Sequence, residues 1–267
     1  MPELAEVEYY RRRWDAGIGA RILRVTLHGE KRLFRGSDPS EIEKTLKGAK
    51  LLGSESRGKQ MLFRFSKNGW LGLHLGMSGK LRLEPPDFSP GRHDHLVLWQ
   101  KERAMVFTDA RMFGRVRFYR GKKAPDWWTK LPSPLNTKEF TAKFLRAVLQ
   151  RRRAAPLKAL LLDQAIFPGV GNWMADEILW QARLHPRRLA VGLTEAEVRA
   201  LWKTVRMVAR VALATIGVDW SDPPQGWLIH QRWKKTGRCP RDQARLKRAT
   251  IGGRTTAWCS KCQIAAR

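Results

Sequence analysis

Three groups of residues in this 267-residue chain have types and spacings that could do chemistry. The first is the start, Met1-Pro2-Glu3-Leu4-Ala5-Glu6. A small second residue favours removal of the initiator methionine, which would leave Pro2 with a free secondary amine. An N-terminal amine titrates at roughly 7.7–8.0, against about 10.4 for lysine, so more of it is nucleophilic at neutral pH. Glu3 and Glu6 place carboxylates on the first helical turn beside that amine, where they could move protons. Taken alone, the same run is also an ordinary proline-led helix start.

The second group is Pro168-Gly169-Val170-Gly171-Asn172. Its glycines let a backbone approach a ligand closely, and the helix that follows aims free N–H groups outward, with the Asn172 amide as a further donor. This predicts a phosphate site, although a Gly-x-Gly turn is equally a tight corner. The third group is Cys239-Pro240-Arg241-Asp242 with Cys259-Ser260-Lys261-Cys262, a C-x2-D-x16-C-x2-C array holding all 3 cysteines of the chain. An odd count without an export signal points to metal or redox chemistry rather than disulfides. Zinc accepts a carboxylate oxygen, so Cys239, Asp242, Cys259 and Cys262 form one candidate ligand set. His230 as fourth ligand, or a finger that folds without metal, are the other readings. No catalytic His or Glu adjoins the array, so a zinc here would be structural.

Those groups need elements to position them. Leu4, Val7, Tyr10 and Trp14 line one face of a helix over 3–14. Short β-rich runs follow at 21–28, 60–65, 70–75, 95–100, 104–108 and 115–119, as in a sandwich or barrel-like sheet pair. Over 121–136 the pattern dissolves into Lys, Pro, Trp and Ser. Helical periodicity takes over beyond, with short helices at 156–164 and 172–181. A Thr194-Glu195-Ala196-Glu197 capping box opens a long helix that Gly217 ends. The expected class is α+β: a β domain with an opening helix, then a helical domain and a small basic metal module. The expected boundaries are 1–125 for the sandwich, 126–136 for a linker, 137–227 for the helical domain and 228–267 for the finger module.

Composition narrows the partner. With 52 Lys+Arg against 24 Asp+Glu, the formal charge is +28. A polyanion is the partner such a charge favours, because clustered cations release counterions from phosphates; a well-solvated basic surface is the bland alternative. No apolar run reaches the roughly 18 residues of a membrane span, and the start lacks a signal pattern. A soluble, cytoplasmic protein is expected.

The chain start resembles that of the formamidopyrimidine-DNA glycosylase and endonuclease VIII family, nearer its formamidopyrimidine branch. The likeness continues through Arg57-Gly58-Lys59, His74-Leu75-Gly76-Met77-Ser78-Gly79, Asp109-Ala110-Arg111-Met112-Phe113-Gly114, Leu162-Asp163-Gln164, Gly169-Val170-Gly171-Asn172 and the finger. The resemblance implies that the three parts are an N-terminal two-layer β-sandwich, a helix–two-turn–helix domain and a C-terminal β-hairpin zinc-finger-like module. It also implies a monomeric, nucleoid-associated bacterial enzyme of base-excision repair that acts on damaged double-stranded DNA. It would be both glycosylase and abasic-site lyase, with Pro2 as Schiff-base nucleophile. Glu3 is implied as acid/base residue with Glu6 in support, and Lys59 joins the catalytic set. His74, Asn172 and Arg254, with Lys59, would hold phosphates, and Lys158 is included among the DNA contacts. Met77 and Phe113 would fill the gap left by an extruded base while Arg111 reads its partner. A non-catalytic damage-binding protein on the same fold is the alternative.

Ala5 stands where the family usually has proline, and Asp242 where its finger has a second cysteine. Only 218–227 separates the long helix from a predicted strand at His230-Gln231-Arg232, and the family's lesion-capping loop is longer. Ring-opened purines and hydantoins are therefore expected to be processed better than 8-oxoguanine.

Overall fold

The computed structural model describes residues 1–264; positions 265–267 of the expected finger module lie outside the described residues. The chain forms two compact units, one of Met1–Pro2 with Glu6–Leu131, the other of Glu3–Ala5 with the chain from Pro132 onward.

The first unit holds eight strands: β1 (Arg24–Leu27), β2 (Leu51–Arg57), β3 (Gln60–Phe65), β4 (Gly69–His74), β5 (Lys80–Glu84), β6 (Asp94–Trp99), β7 (Ala104–Thr108) and β8 (Arg115–Arg120). They pair antiparallel in two four-stranded sheets, ordered β1-β6-β7-β5 and β2-β3-β4-β8. Alternation decides which side chains meet. Met61, Phe63 and Phe65 of β3 share a core with Leu96 and Leu98 of β6 and Met105 and Phe107 of β7. The alternate residues are buried too, which makes the strands read as nearly continuous apolar runs. Val97, Trp99 and Val106 are covered by Phe88, and the Arg24 guanidinium stacks 4.1 Å from the Trp99 ring. Leu62 and Trp70 are covered by Trp127 and Trp128. This last cover makes Asp126–Thr129, within the expected 126–136 linker, a short helix.

The second unit packs the helices Ala142–Arg151, Leu157–Leu161, Asn172–Gln181 and Glu195–Ala214 around one apolar core. Thr194 and Glu197 form the expected capping box, each side chain meeting the other's backbone N–H. The long helix stops at Ala214, ahead of Gly217, because Thr215 leaves helical geometry (φ −107°, ψ −90°) and a separate turn follows at Ile216–Asp219. The expected strand at His230-Gln231-Arg232 is instead a short helix, Ile229–Arg232. Its first N–H donates to Glu177 Oε2 (3.0 Å), and Arg232 is drawn into a buried ion pair. Among the described residues no strand pairs with this segment. A two-stranded hairpin, β9 (Lys247–Ile251) with β10 (Arg254–Trp258), completes the unit. Among the described residues no helix is long and apolar enough to cross a membrane.

Candidate active site and nucleic-acid interface

Glu3 is buried, with 3 % of its surface exposed. Its carboxylate closes the N-terminus of the helix Asn172–Gln181. Oε2 accepts from Gly171 N (3.0 Å) and Met174 N (3.1 Å), and Oε1 from Trp173 N (2.9 Å). A helix start has orphan donors and a positive dipole end, both of which favour an anion. The main-chain N–H groups that the sequence offered to a phosphate are thus taken up by a carboxylate of the chain itself. Leu4 N also donates to Gly169 O (2.9 Å), anchoring the next residue. Ala5, the departure from the family's proline, is buried in the helical core.

Gly171 is required for space. A Cβ there would lie 2.2–2.5 Å from the Glu3 carboxyl group and Cγ. Gly171→Ala is therefore expected to push Glu3 off the helix, losing hydrogen bonds worth about 1.5–3 kcal/mol each. A fall of several degrees in the thermal midpoint of the variant, seen by calorimetry, checks this.

In the first unit, Lys59 follows Gly58, whose φ of +59° makes the two-residue turn between β2 and β3. Lys59 is largely buried. His74 ends β4, and its Nδ1 accepts from Gly76 N (3.0 Å), which puts the ring proton on Nε2. Burial first, then Lys59 and Arg117, push its pKa below the usual histidine value, so the neutral ring with an Nε2–H donor is favoured. Beyond it, Met77 and Phe113 are apolar yet 45 % and 46 % exposed. Arg111 and Arg32 stack on the Phe113 ring at 5.1 and 5.0 Å. A cavity of about 460 Å³ beside them is lined by His74, Phe113 and the arginines 32, 35, 115 and 117. Glu6 sits half-buried in the first helical turn.

In the second unit one expectation fails. Lys158, placed among DNA contacts, has 0 % exposure. Its Nζ donates to Asp176 Oδ1 (2.6 Å) and to Asn172 O (2.7 Å). An ammonium on this apolar helix needs a buried counter-charge, and Asp176 supplies it. Asp176 Oδ2 also accepts from Arg232 Nη2 (2.6 Å), Arg232 Nε (3.1 Å) and Ala257 N of β10 (3.0 Å). Asn172 Nδ2 donates to Thr255 O (2.9 Å), so its amide also braces the hairpin. Arg254 is exposed at the start of β10.

Sequence reasoning passed over Asp176 and Glu177. The signal was there: two adjacent acids in a helix whose other residues are mostly apolar must find partners inside. Glu177 accepts from Gln181 Nε2 (2.9 Å) and Ile229 N, and burial pushes its pKa up to about 7. Because the folded state holds this proton more tightly than the unfolded one, the group's contribution is fully present below about pH 4.5 and is lost as pH rises through 7. Glu177→Gln is expected to flatten the decline in stability between those pH values, by about 3 kcal/mol in total, in urea unfolding followed across pH.

The cysteine array closes as expected. One ligand atom from each of Cys239, Asp242, Cys259 and Cys262 lies within 4.8 Å of the other three, and the group could hold a metal ion. Cys239 Sγ and Cys262 Sγ are 3.7 Å apart; two thiolates on a tetrahedral zinc stand about 3.8 Å apart. Asp242 Oδ2 is 3.0 Å from Cys262 Sγ and 3.3 Å from Cys259 Sγ. His230 lies outside the group, its Nε2 donating to Pro223 O (2.9 Å), which removes it as fourth ligand. Trp180 Nε1 donates to Cys239 Sγ (3.4 Å), and Arg241 stacks on the Trp180 ring at 3.9 Å.

A buried carboxylate beside the chain start, an exposed apolar pair among arginines and a four-residue ligand cluster each suit a DNA-processing protein. Residues 1–116 match the formamidopyrimidine-DNA glycosylase N-terminal domain, and 131–221 match the H2TH domain of the same enzymes. The formamidopyrimidine-DNA glycosylase of Roseiflexus sp. (strain RS-1) is 37 % identical over 98 % of this chain and 100 % of its own length. That of Xanthomonas axonopodis pv. citri is 36 % identical, over 98 % of this chain and 100 % of its own length. Among solved structures, the Lactococcus lactis enzyme bound non-covalently to abasic-site DNA superposes with a TM-score of 0.86 at 27 % identity, covering 98 % of this chain and 100 % of that one. The chain belongs to the formamidopyrimidine-DNA glycosylase family. It is a base-excision repair DNA glycosylase, and enzymes of this family are bifunctional, with abasic-site lyase activity.

Proposed function

We propose that this protein excises ring-opened purines and hydantoins from duplex DNA and cuts the abasic strand through a Schiff base on Pro2. The carrying observation is the Glu3 carboxylate, held by three backbone N–H groups at the residue next to Pro2. With Met1 removed, the Pro2 nitrogen attacks C1′, and the glycosidic bond breaks with its electrons passing to the base, which departs with a proton. Glu3 moves the proton of sugar ring opening, with Glu6 in support, and an iminium forms between Pro2 and C1′. The iminium acidifies the C2′–H, so loss of that proton expels the 3′ phosphate, and a second elimination expels the 5′ phosphate. No metal takes part.

Lys59, His74, Asn172 and Arg254 would hold phosphates. Met77, Arg111 and Phe113 would enter the stack, where an extruded base costs a few kcal/mol. The enzyme would act as a monomer on the bacterial nucleoid. The lesion preference rests on the short segment after the long helix, and equal or faster excision of 8-oxoguanine opposite cytosine would refute it. Cys239, Asp242, Cys259 and Cys262 would hold one structural zinc that stiffens the hairpin bearing Arg254. Metal analysis is expected to find one zinc per chain, Asp242→Cys to keep it, and Asp242→Ala to lose it together with DNA affinity.

Borohydride trapping on abasic, ring-opened-purine and 8-oxoguanine duplexes tests the mechanism. The expected adduct maps by peptide mass spectrometry to Pro2 on a chain lacking Met1, and is absent in Pro2→Gly. Tight binding with no adduct from a processed chain would instead identify a non-catalytic damage binder.

A further inference from the structure

Asp109 opens the 109–114 motif but has been given no role so far, yet it is a fully buried carboxylate (0 % exposed). Among the described residues it forms no ion pair. An uncompensated carboxylate in an interior costs several kcal/mol unless hydrogen bonds replace its water. Here they come from two separate loops. Oδ1 accepts from Ser78 Oγ (2.6 Å) and from Arg111 N (3.3 Å), while Oδ2 accepts from Gly114 N (2.7 Å). Ser78 is the neighbour of Met77, and Arg111 N and Gly114 N bracket Phe113. The main-chain oxygen of Asp109 accepts from Met112 N (3.2 Å) and from the buried His95 Nε2 (3.0 Å), which must be the donor because a carbonyl can only accept.

We infer that Asp109 is a positioning residue that locks the Met77 loop and the Arg111–Phe113 loop into one rigid wedge for the DNA stack. This rests on the assignment of Met77, Arg111 and Phe113 proposed above. Two independent features support it. The loops are in backbone contact, since a Cβ on Gly76 would lie 2.3 Å from Phe113 C and 2.5 Å from Gly114 N. Met112, between Arg111 and Phe113, holds a left-handed φ of +52°. A non-glycine residue adopts that conformation at a cost of about 1–2 kcal/mol, which the bonds of the turn offset: Met112 N to Asp109 O, Arg111 N and Gly114 N to the Asp109 carboxylate, and Arg32 Nε to Met112 O (2.8 Å). An asparagine replaces the carboxylate only in part. With its oxygen on Gly114 N, its amide can donate to Ser78 Oγ, but the charge is gone and Arg111 N loses its acceptor on Oδ1, keeping only Ser78 Oγ (3.2 Å).

The chemical need is clear from what a wedge does. It must hold apart base pairs that favour restacking by a few kcal/mol, and a soft loop would yield. A single-stranded abasic site makes no such demand, because there is no stack to open.

The test compares wild type, Asp109→Asn and Ser78→Ala, all as full-length chain freed of Met1. The substrates are a ring-opened-purine duplex carrying 2-aminopurine beside the lesion, and a single-stranded abasic oligonucleotide for borohydride trapping. Asp109→Asn is expected to slow duplex excision about 10- to 100-fold and to blunt the 2-aminopurine signal of insertion. It should leave single-stranded trapping within twofold of wild type. Ser78→Ala should show the same pattern more weakly, and adding it to Asp109→Asn should cost nothing further. Duplex excision at the wild-type rate in Asp109→Asn overturns the inference, as does equal loss on both substrates, which marks a purely structural carboxylate. Should Asp109→Asn fail to fold, Ser78→Ala decides alone, and an unchanged duplex rate overturns it. A wild type that excises and traps nothing condemns the proposed activity instead.

Discussion

Glu3→Gln is expected to lower base excision by about 10²- to 10⁴-fold, the range that positioned acid/base groups supply. The substitution acts twice. It removes the charge that the helix dipole favours, and it puts an amide N–H₂ where a carboxylate oxygen now accepts from Trp173 N or from Gly171 N and Met174 N. A donor facing a donor is worse than a missing bond, because the buried N–H is left unsatisfied. Pro2 is untouched, so the amine can still condense with a ready-made abasic aldehyde. Single-turnover assays should show excision of a damaged base nearly abolished, while trapping of a preformed abasic site falls far less. Equal loss on both substrates would place the defect in the fold around Pro2 rather than in proton transfer.

Asp176→Asn should produce the largest loss of stability in the helical unit. It leaves the buried cations Lys158 and Arg232 facing a neutral amide. Breaking a buried pair from one side costs about 3–5 kcal/mol, and here two cations depend on one acid. The hairpin feels it directly through Ala257 N, which donates to the same oxygen as Arg232. Urea unfolding should register the loss, and DNA affinity should fall with it because Arg254 begins the strand that Ala257 anchors. Lys158→Met is the informative companion. It leaves Asp176 paired with Arg232 and should be much milder. A Lys158→Met variant as damaged as Asp176→Asn would mean that packing, not charge, governs this cluster.

Local signals in the sequence carried the elements they describe. Short β-rich runs marked Gln60–Phe65 and Ala104–Thr108 at their observed bounds, because both faces of those strands are covered by apolar residues. The Thr194–Glu197 capping box was readable because both of its bonds are made within three residues. The ligand spacing around Cys239 and Cys259 was readable for a similar reason. A hairpin returns one pair to the other. Non-local partners were not readable. The donors to Glu3 come from residues 168–171 positions away, so a free helix N-terminus looked available for phosphate. Lys158 was included among the DNA contacts because nothing local reveals its partner, Asp176, which lies on a different helix. Ile229–Arg232 looked extended because its helical turn depends on bonds to Glu177 and Asp176, which no local pattern encodes.

The way Glu3 is held also sets which neighbouring positions can drift in sequence. Its partners are main-chain N–H groups, which every residue except proline provides. At 173 and 174 the site therefore asks only for side chains that fill the core, and apolar exchanges there should leave the carboxylate in place. Position 171 asks for the opposite, the absence of any side chain. A saturation library across 171–174 selected for repair should accept varied hydrophobic residues at 173 and 174, exclude proline from both, and return glycine alone at 171. The catalytic geometry would then be inherited through a backbone and one void, and chains that share it could differ at every other residue lining the carboxylate.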